Sequence, residues 1–370
     1  MAILPRCSPA VHVSNLRRYA MSSNALKSGT TAASLSPVAL AAANLSTGTK
    51  GLLAVDKVGN SLLWFDPVTF EKLGQLAVAH PHQMILSPDH SLAYVSEFGV
   101  IKGGRNVDPG HFINVVDVEK QCSAARIDLG EDAGPHGLRW DANGQLWVIC
   151  EETGYLVCID AEEGRPIARL QVAAPKERAH LIEMTPDGSH LFVSCKFGPL
   201  KVVDMKKQLV IATVDVGPGT EGIAVMPDGD RILVAENGEQ SLIVIDAASH
   251  LIIDRVLLRG AVMSSPKRSR LITLQMAPQA GCLLSSNGVS AVVHIHPLQD
   301  LHSQEMVVVA KGPQGMAVTQ DGARAVIANH DAGVATLIDL SGPRAGKATG
   351  WFEAGAGVEA LTFFNESRPC

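Results

Sequence analysis

Three histidines and a glutamate, His82, His136, His180 and Glu221, follow one another at intervals of 54, 44 and 41 residues. Each stands six residues before a turn position, held by Pro88, Ala142, Pro186 and Pro227. Neutral imidazole and carboxylate are good ligands for Zn, Fe, Mn or Cu. Three His and one carboxylate leave an open position on a divalent metal that accepts five or six ligands, and such a metal lowers the pKa of water toward neutrality. The same count from Pro278, Gln320 and Asn365 gives Ile272, Gln314 and Glu359.

A second series lies nine residues after the turn position: Glu97, Glu151, Cys195, Glu236, Asn287, Asn329 and, to complete it, Asp56. Counting outward from the turn makes His82/Glu97, His136/Glu151, His180/Cys195 and Glu221/Glu236 cross-strand neighbours of a hairpin. Glu97 and Glu151 are then placed to accept the second ring N–H of a metal-bound histidine. Glu236 beside Glu221 is a candidate general base, because close carboxylates push one pKa upward. Gln314, Glu359, Asp56, Asn287, Asn329 and His330 are candidate substrate contacts, and Ile272 an apolar wall. The competing reading is that these positions are polar only because they line a wet channel.

Positions so far apart converge only if the chain repeats. A short apolar run ending in an acid recurs at LLWFD (Asp66), NVVD (Asp117), VCID (Asp160), KVVD (Asp204), IVID (Asp246), VHIH (His296, in place of the acid) and TLID (Asp339). The gaps of 51, 43, 44, 42, 50 and 43 residues match the period of four-stranded propeller blades. Turns such as MPDG, TPDG and SPDH join the first two strands of a unit, and β-branched runs at this spacing indicate an all-β chain. The repeated acids read as turn residues accepting backbone hydrogen bonds. The N-terminal unit lacks a first strand, which GVEALTFFNE (357–366) supplies. The expectation is a seven-bladed β-propeller over 51–370, its last blade shared between the two chain ends.

LAYVSEFG (92–99), RILVAENG (231–238) and RAVIANHD (324–331) resemble the YVTN-type seven-bladed propellers over roughly residues 51–366. The resemblance implies the fold. It implies activity only broadly, since that lactonase-like superfamily includes lactonase-like, lyase and cyclase enzymes beside proteins without known chemistry. YVTN repeats usually carry Asn where four of the seven residues here are acidic.

The 370 residues carry a formal net charge of −6 with 4% aromatic residues, which disfavours nucleic-acid binding. No run of about 18 apolar residues marks a membrane span. Seven scattered cysteines without CxxC spacing read as reduced thiols in a reducing compartment, although Cys150 and Cys158 fall on neighbouring strands. Residues 1–50 form a separate N-terminal tail. The first 55 residues contain no Asp or Glu. That stretch resembles an organellar transit peptide, and Arg17-Arg18 before LSPVALAAA faintly resembles a twin-arginine signal. Met21 as the true start and a disordered tail of no consequence are the other readings. His294 and His296 are expected at the surface, at the far end of a third strand. Two long connections, 99–111 and 259–270, suit a lid or substrate wall, and their Arg105, Lys267, Arg268 and Arg270 would attract an anionic substrate.

Together these residues describe a monomeric, metal-dependent propeller enzyme acting on a small oxygenated molecule, by chemistry of the hydrolase (lactonase), lyase or isomerase kind. The alternative is a non-catalytic propeller for binding or scaffolding.

Overall fold

The computed structural model describes residues 49–260 and 271–365. They form seven four-stranded antiparallel sheets arranged as the blades of a propeller. The innermost strands are Pro81–Leu86, Pro135–Trp140, Ala179–Met184, Thr220–Val225, Leu271–Ala277, Pro313–Val318 and Val358–Asn365. Each contacts the next around a complete circle. The second strands are apolar on both faces, as in the wholly buried Leu146–Cys150, because blades stack against both sides. Outer strands alternate, as in Arg165–Gln171, because they approach the rim. The core therefore lies between blades. One cluster joins Leu53 and Trp64 of the closing blade to Ala93, Val95 and Val116 of blade one. Trp64 Nε1 also donates to the Val118 carbonyl across that gap at 3.0 Å.

The ring closes as the repeat requires. Val358–Asn365 pairs antiparallel with Thr49–Asp56, with Leu53 opposite Thr362 and Ala54 opposite Leu361. That strand starts two residues before the expected boundary at 51. The rest of the tail, residues 1–48, lies outside the described residues, as do Lys267, Arg268, Arg270 and the side chain of Ile272.

Three expectations need correction. The first concerns register. Glu97 pairs with Pro81, not His82, and the same one-residue offset pairs Cys195 with Ala179 and Glu236 with Thr220. Each innermost strand bulges at its entry, as between Pro81 and Met84. A bulge leaves a residue unpaired and re-aims its side chain. Blade two is offset by one more, so that Pro135 pairs with Cys150. Its turn is one residue shorter, closing Asp141 N–H onto Gln145 O where blade one closes Ser87 onto Leu92 and blade three Thr185 onto His190. Glu151 therefore lies one step beyond its supposed counterparts.

The second correction is the connection at 99–111. It is not an irregular loop but an extension of the hairpin formed by Leu92–Lys102 and Arg105–Asp117, turning at Gly103–Gly104. It continues past Glu97 on the face where the innermost strands begin. The third is His294 and His296, which are fully buried. His294 Nε2 donates to Arg259 O at 2.8 Å, while His296 bonds Leu301 O through Nδ1 and Ser285 Oγ through Nε2. Leu301, beyond the third strand, holds the His296 ring, and Arg259, in the connection from blade four, holds that of His294.

The repeated acids behave as turn residues. Asp66 Oδ1 accepts from the N–H groups of Val68 and Thr69 at 2.8 and 2.7 Å, and Asp160, Asp204 and Asp246 repeat the pattern. Cys150 and Cys158 are free thiols. They belong to different inter-blade clusters, on opposite faces of their sheet.

Candidate active site in the central channel

His82, His136, His180, Glu221, Gln314 and Glu359 all line one cavity of about 290 Å³ where the innermost strands begin. The entry bulges aim them inward. Ser96 and Ser194 compensate for the lost ladder bonds, their Oγ atoms accepting from the N–H groups of Gln83 and Leu181. Glycine lets the blades close up here. A Cβ on Gly137 would fall 2.9 Å from Leu181 Cα, and one on Gly315 would strike Glu359 O. The histidine rings are correspondingly tight, with centroids 4.2 Å apart for His82–His136 and 3.9 Å for His136–His180.

A further ring of residues, absent from the expected series, completes the wall. The N–H groups of Lys57, Phe98, Glu151, Lys196, Asn237 and His330 each donate to the carbonyl immediately before an innermost strand, so the six share one position in the propeller. Lys57, Lys196 and His330 line the cavity. Phe98 packs edge-on against His82 and His136. Of the second series, only Glu151 belongs to this ring, because of its shorter turn. A count of one residue further in the other six blades would have found it.

Of the other members of that series, Asp56, Glu236 and Asn287 hold turns. Asp56 accepts from the N–H groups of Gly59, Ala356 and Gly357. Glu236 accepts from Gly238, Glu239 and Ser241, and Asn287 from Val289 and Ser290. Asn329 joins Thr336 to Ala310 O. Glu97 faces Arg126, at 2.5 Å, and Asn114. None of these five lines the cavity.

Glu151 is saturated. Oε1 receives Arg178 at 2.8 Å and Lys196 at 3.2 Å, and Oε2 receives Lys196 at 3.1 Å and His180 Nδ1 at 2.9 Å. Burial pushes its carboxyl up, but Lys196 and His180 outweigh this and hold it well below the usual range. A carboxylate only accepts, so His180 Nδ1 carries the hydrogen and Nε2 keeps a lone pair, 3.8 Å from Glu221 Oε2. Two acceptors facing each other invite a cation between them. Glu151 thus orients the histidine of the next blade, where the sequence placed it behind His136.

His82 is committed differently. Lys57 Nζ donates to its Nε2 at 3.1 Å, so Nδ1 carries the hydrogen, 3.5 Å from Glu359 Oε1, and no lone pair is left for a metal. His136 is the opposite case. It is 1% exposed, and neither ring nitrogen has a hydrogen-bond partner. Burial holds His82 and His136 well below the ordinary imidazole range, and both are neutral. His136, Glu151 and His180 present ligand atoms within 4.8 Å of one another.

No family model matches this sequence, and no curated protein matches it. Solved structures do. A periplasmic gluconolactonase of Pseudomonas aeruginosa is 17% identical, with a TM-score of 0.68 over 85% of this chain and 99% of that one. A candidate 6-phosphogluconolactonase of Bacteroides fragilis is 15% identical, with a TM-score of 0.68 over 86% and 99%. Hydrazine synthase of Kuenenia stuttgartiensis is 17% identical, with a TM-score of 0.66 over 84% and 99%. At these identities the likeness shows a shared fold, the seven-bladed β-propeller.

Proposed function

We propose that this chain is a lactonase-type hydrolase of small oxygenated molecules, working with a divalent metal ion in the channel mouth. One observation carries the reading. Of eleven buried side-chain polar atoms without a hydrogen-bond partner among the described residues, five line this one cavity; His330 Nδ1 and Glu359 Oε2 face each other at 3.0 Å, which leaves His82 Nδ1 and both nitrogens of His136. Each such atom costs about 1–3 kcal/mol, so their concentration marks a place built for a ligand. The gluconolactonase names of two structurally similar proteins supply the reaction class.

The residues fit a metal. His136 and His180 Nε2 offer lone pairs and Glu221 a carboxylate, while Glu151, anchored by Lys196 and Arg178, fixes the His180 ring as outer partners of metal-bound histidines do. A divalent ion held there would polarise a carbonyl and lower the pKa of water. The chain's own groups do the remainder. Phe98 and the packed imidazoles limit water on one side, Lys57 and Lys196 offer N–H donors to substrate oxygens, and Gln314 orients the substrate. The substrate is a small molecule, anionic groups being favoured by the two lysines. We further propose a monomer in a reducing compartment, the latter from seven scattered cysteines without CxxC spacing.

Hydrolysis of δ-gluconolactone, followed before and after chelation and after return of Zn or Mn, tests this. Loss on chelation and recovery with metal is the expected result. A protein inert toward lactones under all three conditions would be left with the scaffold reading.

A further inference from the structure

Across the ring from His180 and Glu221, the cavity carries a second cluster. Glu359 enters from the closing blade's innermost strand, and His330 from the turn after blade six's second strand, Arg324–Asn329. His330 Nδ1 lies 3.0 Å from Glu359 Oε2, with the N–H turned off the direct line. Lys57 Nζ is 3.4 Å from Glu359 Oε1. The Glu359 side chain is 6% exposed and that of His330 21%, so the carboxylate is sealed while the imidazole reaches open space. With Nδ1 turned to Glu359, Nε2 is the nitrogen left for a ligand.

We infer that His330 is the proton donor of the reaction and that Glu359 is the residue that positions and charges it. This rests on the hydrolase reading above. Opening a lactone forms one bond, from water oxygen to the acyl carbon, and breaks one, from the acyl carbon to the ring oxygen. Both protons of the water leave to bulk solvent, one on attack and one as the product acid ionises. The departing ring oxygen of an aliphatic lactone is a strongly basic alkoxide, and it takes the Nε2 proton of His330. Solvent then recharges the imidazole, and the product leaves as a hydroxycarboxylate. The groups facing His330 suit this: Glu359 and Asp331 favour its cation, Lys57 opposes it, and the net effect raises it above the ordinary imidazole value, chiefly through Glu359. Burial pushes Glu359 up, but Lys57 and His330 outweigh it and keep the carboxyl ionised.

Leaving-group dependence separates this role from a structural one. We expect His330→Gln to lose about 100-fold or more in kcat on δ-valerolactone, the scale of a general acid. It should lose far less on dihydrocoumarin, whose phenoxide departs without a proton. Glu359→Gln should show the same contrast and move the basic limb of the kcat–pH profile to lower pH. In the NMR titration of the full chain, His330 should titrate above 6.5, and lower in Glu359→Gln. Equal losses on both lactones, or a His330 titrating at or below 6.5, would overturn the inference while leaving the hydrolase reading standing. A wild-type protein that hydrolyses neither lactone would overturn both.

Discussion

At the scale of single residues, the channel works by dividing its histidines. His82 is tied to Lys57, His180 to Glu151, His330 to Glu359, and His136 to none of these. Four rings of one type therefore hold different states, fixed by the group each one faces. Glu151→Gln tests the orienting contact. It keeps the shape but removes the charge that fixes the His180 tautomer, and metal affinity should fall about 10–100-fold, as read by competition with a chelating dye. Outside the channel, His296 is held down to about 4 by burial. Its folded-state pKa lies below the unfolded value near 6.5, so the unfolded chain binds the extra proton between those values. Stability should be full above pH 6.5 and fall as the pH drops toward 4, by at most about 3 kcal/mol from this one group. Urea unfolding of wild type and His296→Asn across that range should show a shallower slope in the variant. Identical slopes would place the sensitivity elsewhere.

At the scale of elements, the closing strand has the largest consequence. Val358–Asn365 supplies the innermost strand of the closing blade and carries Glu359 into the site. Deleting residues 355–370 should expose two sheet edges and abolish activity, with aggregation in light scattering; a monomeric deletion product of unchanged melting temperature would refute the blade pairing. Element scale is also where legibility in the sequence changed. The innermost-strand ring, His82 through Glu359, was readable because its residues sit at a constant distance from turns of recognisable chemistry. Lys57, Lys196 and Phe98 were not, because the entry bulges shift each pairing by one residue and the turn at Asp141–Gln145 shifts one blade again. An error of one position in a strand exchanges one face for the other. That exchange is why Glu97 and Glu236 were expected in the cavity and instead serve a side-chain cluster and a turn. The burial of His294 and His296 was hidden for another reason: a period of two says which side a residue faces, but not what folds over it.

For the whole molecule, the propeller's use lies in what it does with sequence distance. Residues 82 to 359 reach one cavity because every blade presents the same backbone position to the same axis. The stacking between blades, as at Trp64 and Val118, holds those positions without drawing on the channel residues for stability. Catalytic substitutions should therefore leave the fold intact. Elemental analysis of the protein purified without added metal, beside His136→Ala, tests the central claim most directly. About one divalent ion per chain in the wild type, lost from a variant of unchanged circular dichroism, is the predicted result. No metal in the wild-type protein, or full metal content in His136→Ala, would contradict it.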